Sequence, residues 1–83
     1  MSKRHRRTLA AILTEPPPAN VRWDDVESLL SHLGATIEEA GGSRVRVILG
    51  GVATVFHRPH PRKEASRPQL RSVAAFLVAA GVA

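Results

Sequence analysis

Two adjacent glycines constrain this chain more than any other feature. Gly50-Gly51 separates RVRVIL from VATVFH, two runs rich in β-branched and apolar residues. A Gly pair supplies the two positive φ angles of a tight type I′ turn, so the stretch from Gly42 to Pro61 is predicted to be a β-hairpin. With the glycines as the turn, Leu49 faces Val52, and the register continues through Val47 with Thr54, Val45 with Phe56 and Arg44 with His57. Successive strand residues point to opposite faces. Val45, Val47, Leu49, Val52, Thr54 and Phe56 therefore share one face, and Arg44, Arg46, Ile48, Ala53, Val55 and His57 share the other. The first suits a core. The second sets two permanent cations beside the side chain best suited to proton transfer near neutral pH, an arrangement that fits a phosphodiester. This reading rests on the register, since a slip of one residue reverses the faces of one strand relative to the other.

The chain has 83 residues, enough for one small domain with a core barely able to sustain it. It has no cysteine, so neither disulfides nor thiolate ligands brace it, and the composition suits a reducing cytoplasm. No apolar run approaches the roughly 20 residues of a membrane span, and no signal-peptide core follows the basic N-terminus. A soluble, cytoplasmic, non-exported protein is expected. The net charge of +5 is unevenly spread. Lys3, Arg4, Arg6 and Arg7 give +4 over residues 1–14, six acids against Arg22 give −5 over 15–42, and seven bases against Glu64 give +6 over 43–83. A basic C-terminal half points to a polyanionic partner, nucleic acid ahead of membrane because no cationic helix with large apolar anchors is present. The alternative is that such a surface only confers solubility.

Residues 3–13 are predicted to form a short helix with an apolar face of Leu9, Ile12 and Leu13. The connector TEPPPAN follows, stiffened by Pro16, Pro17 and Pro18. A second helix starts near Trp23, with Val26, Leu29, Leu30 and Leu33 as its buried stripe and Gly34 as its stop. Asp24 and Glu27 are spaced as a capping box, which gives these acids a structural role ahead of a catalytic or metal-binding one. His32 is read as structural or exposed. Residues 35–40 suit a strand with Ile37 inward and Glu38 outward, leading through Gly41-Gly42 into the hairpin. Pro59 and Pro61 make the next segment a loop. Ser66 and Gln69 then cap a last helix with Leu70, Val73, Ala74 and Leu77 inward, closed by Gly81 and Val82 in a Schellman pattern. The expected fold is α+β, in the order α-β-β-β-α: a three-stranded antiparallel sheet with two helices on one face. Residues 1–20 form a basic arm and connector, and residues 21–83 form the domain.

Read in order, WDDVESLLSHLGA, GGSRVRV, HRPHPRKE and LRSVAAFLVAAGV resemble the HicA toxins of bacterial HicAB toxin-antitoxin modules. The correspondence runs over roughly residues 21–82: a helix, a Gly-Ser strand, a PHP-type loop and a final helix ending in Ala-Gly and an aliphatic residue. The resemblance implies a fold similar to double-stranded RNA-binding domains. It further implies an mRNA interferase, a hydrolytic endoribonuclease acting on messenger RNA without cofactor and neutralised by a HicB antitoxin. Family members usually carry a catalytic histidine directly after the Gly-Ser pair. Here that position is Arg44, whose guanidinium cannot exchange a proton at ordinary pH.

The register offers a replacement, because His57 is the expected cross-strand neighbour of Arg44. His57 and His60 are therefore the candidate proton-transfer residues, with Arg44 or Arg46 as the phosphate clamp. Arg58, Arg62 and Lys63 in the loop and Arg71 in the last helix complete the expected phosphate-binding set, Arg71 having Glu64 as its alternative partner. His57 and His60 form an HxxH pair with no third ligand nearby, so no metal is expected. Two other functions compete. One is a module that binds RNA or antitoxin without cutting, because the usual histidine is missing. The other is a DNA-binding regulator, which lacks a helix-turn-helix pair.

Overall fold

Across Gly50 and Gly51, with φ of +57° and +77°, Leu49 pairs with Val52 and the ladder runs without interruption to Arg44 opposite His57. The register is the expected one throughout. In the computed structural model, which describes residues 1–83, this hairpin comprises β2 (Arg44–Leu49) and β3 (Val52–His57). A shorter strand, β1 (Thr36–Glu39), pairs antiparallel with β2, and the sheet order is β1-β2-β3. Val45, Val47, Leu49 and Phe56 are buried on one face, and Ile37 on β1 joins them from opposite Val47.

Three helices complete the chain: α1 (Lys3–Leu13), α2 (Trp23–His32) and α3 (Arg67–Ala79). The architecture is α+β, with the α-β-β-β-α core expected from the sequence. Helices α2 and α3 cover the apolar face of the sheet with Val26, Leu29, Leu30, Leu70, Val73 and Leu77, each wholly inaccessible to solvent. Trp23, Phe56 and Phe76 meet edge to face at centroid distances of 5.8 and 5.7 Å, joining α2, β3 and α3 in one aromatic contact. At α3 the Ser66–Gln69 capping box is formed on both sides. At its other end Gly81 and Val82 donate to the carbonyls of Val78 and Leu77, the two bonds of a Schellman closure.

Two local expectations are corrected. Helix α2 has Arg22, not Asp24, at its N-cap, and no side chain caps it. The cause lies far along the chain. Trp23 N–H donates to the Lys63 carbonyl at 2.9 Å and Ala65 N–H donates to Val21 at 2.8 Å, so a short antiparallel contact with the loop decides where the helix begins. Glu27 accepts from the Trp23 indole and from Arg58 instead of closing a capping box.

The second correction concerns α1, which docks by a face rotated from the expected one. Ile12 and Thr8 are buried, Leu9 is half-buried and Leu13 is exposed. Thr8 tolerates burial because its hydroxyl donates to the Arg4 carbonyl one turn back. Helix α1 packs against both α2 and α3 and against no strand, so it bridges the two helices. His5 stacks on His32 at 4.6 Å and meets Ser28 Oγ at 2.9 Å, which gives His32 a structural contact.

Candidate nucleic-acid interface

The uncovered face of the sheet displays the side chains that alternation assigned to it. Arg44, Arg46, Ala53, Val55 and His57 are exposed there and Ile48 is half-buried. Arg58 N–H donates to the Ser43 carbonyl just beyond the strand ends, so the alternation of the ladder leaves Arg44 and His57 at a non-hydrogen-bonded pair, where facing side chains stand closest. Arg44 Nε also donates to the Gly41 carbonyl at 3.4 Å, which steers the guanidinium toward the turn before β2. Arg46 lies opposite Glu38 of β1, with 3.7 Å between charged atoms and both side chains about half exposed, 52 and 51%. Such a pair is weak and open to exchange for a stronger anion.

His57 is tied to α3 through its backbone. Gln69 Nε2 donates to the His57 carbonyl at 2.8 Å while Gln69 Oε1 accepts from Ser66 N–H at 2.7 Å, so one side chain serves the helix cap and the end of β3. Two open depressions share Gln69 as a wall. The smaller, of 270 Å³, holds His57, Gln69 and Ser72. The larger, of 840 Å³, lies between the loop after β3 and the first turns of α3, with His60, Arg62, Arg67, Gln69 and Arg71 among its walls. His60, Arg62 and Lys63 also line a third hollow, against Trp23 and Asp24. Nowhere do three His, Asp or Glu side chains converge as metal ligands would.

Arg58, expected among the phosphate-binding residues, is engaged by two carboxylates. Its Nε and one terminal nitrogen donate to Glu27 at 2.7 and 3.1 Å, and its terminal nitrogens donate to Glu39 at 2.7 and 2.8 Å. The Glu39 bond raises its already high pKa, with Glu27 adding to the effect. Reciprocally, the Arg58 hydrogen bond holds the Glu39 carboxyl below the ordinary 4.5. Arg58 is thus a clasp between α2, the end of β1 and the start of the loop. Because the folded pKa of Glu39 is depressed, its contribution is full above the ordinary carboxylate range and is lost as pH falls through the lower folded value. Urea midpoints of the native chain and Glu39→Gln are therefore expected to differ at pH 7 by a small, salt-sensitive amount, because Glu39 is exposed, and to converge only once pH has fallen through the depressed folded value.

Of the remaining bases, Arg62 lies 3.8 Å from Glu64, and Arg71 pairs with Glu15, not with Glu64. Arg67 was missed by the sequence reading, although its spacing of i, i+4 from Arg71 places both on one side of a helix. No helix is long and apolar enough to cross a membrane.

Compared with known protein families, residues 23–82 match the one described as HicA toxin of bacterial toxin-antitoxin. Neither curated proteins nor solved structures give a match. The matched stretch runs from the first residue of α2 to the closure of α3 and takes in the whole sheet and the arginine-lined loop; the chain belongs to the HicA toxin family of bacterial toxin-antitoxin systems.

Proposed function

We propose that this toxin is an endoribonuclease that cleaves messenger RNA without a metal and is neutralised by a HicB-like antitoxin covering its basic face. The observation that carries the proposal is the register that sets Arg44 opposite His57 across β2 and β3, an arginine and an exposed imidazole at facing positions of the open sheet. In such cleavage a base takes the proton of the ribose 2′-OH, whose oxygen attacks the adjacent phosphorus. An acid returns a proton to the departing 5′ oxygen, leaving a 2′,3′-cyclic phosphate and a new 5′-OH. His57 acts as base or acid, Arg44 stabilises the charge that builds on the phosphoryl oxygens, and His60 is the second proton-transfer group. Arg46, Arg62, Lys63 and Arg71 hold flanking phosphates. Residues 21–83 carry the activity, with residues 1–20 as an accessory to it.

The second reading, a module that binds RNA or antitoxin without turnover, is favoured by Arg44 itself, which stands where relatives place their histidine. The two separate on product ends. Incubated with RNA in excess chelator, the nuclease yields 2′,3′-cyclic phosphate and 5′-OH termini. A binding module gives salt-sensitive retention of intact RNA instead, and that result would sink the enzymatic reading.

A further inference from the structure

The stretch that precedes the family match packs against two arginines, Arg67 and Arg71, that line the depression between the loop and α3. Glu15 Oε1 accepts from both Nε and a terminal nitrogen of Arg71, at 3.2 and 2.9 Å. The Pro17 carbonyl accepts from Arg67 Nε at 3.0 Å. Pro17 itself is fully buried, so this segment is seated against the domain. The two arginines lie one helical turn apart, and each has an oxygen of the N-terminal segment at its guanidinium. A guanidinium fork presents the same geometry to a carboxylate and to a phosphate. Glu15 therefore stands where a phosphate oxygen would.

The pairing is built to be displaced. Glu15 is 70% exposed and Arg71 50%, the setting in which ion pairs are weak and screened. Arg67 uses only Nε for Pro17 and keeps its terminal nitrogens unengaged. Arg58, which lines the same depression, shows the contrast: two carboxylates hold it on four bonds, two of them to the partly buried Glu27.

We infer that Arg67 and Arg71 form a subsite for a phosphate group, and that Glu15 is its internal competitor, occupying the subsite until a polyanion displaces it. On the reading above, that phosphate belongs to the RNA backbone beyond the scissile bond, so the N-terminal segment moderates RNA affinity. The assignment rests on that reading for the source of the phosphate and on the geometry for the subsite.

The test compares the full-length native chain, Glu15→Gln, Arg71→Ala and the double variant. Pyrophosphate binding is followed by NMR at the arginine Nε–H signals, and a labelled single-stranded RNA by fluorescence anisotropy. Glu15→Gln is expected to bind both probes about two- to fivefold more tightly, the range an exposed ion pair allows. Arg71→Ala binds pyrophosphate more weakly, and in its background the Gln substitution adds nothing. An unchanged pyrophosphate affinity in Glu15→Gln overturns the competitor. A gain that persists without Arg71 does the same, because general loss of negative charge then explains it. If pyrophosphate responds as expected and RNA binds neither protein, the RNA reading fails while the subsite and its competitor stand.

Discussion

On the proposed mechanism, replacing His57 by Ala is expected to abolish growth arrest when the protein is induced in bacterial cells, and to leave intact the messenger RNA that the native chain is expected to degrade. The magnitude follows from the role. A positioned proton-transfer group contributes about 10²- to 10⁴-fold to rate, enough to separate a lethal toxin from a tolerated protein. The substitution leaves the fold alone. Only the backbone carbonyl of His57 is hydrogen-bonded, to Gln69, and the imidazole lies on the exposed face. Thermal midpoints of the two proteins should therefore agree, so that lost activity reports chemistry. Arrest that persists in His57→Ala would transfer the role to His60, whose position in the loop gives it access to the larger depression.

Gly50→Ala is expected to cost about 2–4 kcal/mol, a large share of what a small domain possesses. Two effects combine at this position. With φ at +57° an L-residue incurs roughly 1–2 kcal/mol in the left-handed region. An added Cβ would also lie 2.3 Å from the Ala80 carbonyl oxygen, a backbone atom at the end of α3, so the hairpin tip or the helix terminus must shift. Gly51 is the internal control. Its φ is +77° but nothing lies within 4 Å of its Cβ position, so Gly51→Ala should show the conformational cost alone. Urea midpoints of the two variants measure the difference. Equal losses would mean that the approach to Ala80 relaxes without consequence.

The hairpin was legible in the sequence because its determinants are local. The Gly pair sets the turn, and alternation of Val, Leu and Phe with Arg and His then places Arg44 beside His57. The ends of α3 were legible for the same reason, since a capping box and a Schellman glycine are patterns of a few residues. What escaped was decided by distant partners. Asp24 and Glu27 satisfy the spacing of a cap, yet the contact of residues 21–23 with 63–65 starts α2 earlier. Arg58 looked like one base among several in a basic loop. Its carboxylates come from positions 31 and 19 residues away, and no periodicity reports them. The docking of α1 through Thr8 depended on a hydroxyl satisfied within its own helix, so a polar residue took a place that apolar counting gives to Leu13. Arg67 was the exception, because its spacing from Arg71 was already visible.

One side chain gives the two depressions a mechanical relation. Gln69 grips the first turn of α3 with its oxygen and the last residue of β3 with its nitrogen. The start of that helix and the end of that strand therefore share one side chain as their tie. Gln69 is also the one residue common to the walls of both hollows, so the arginines of α3 and the strand end that carries His57 are joined through a single side chain.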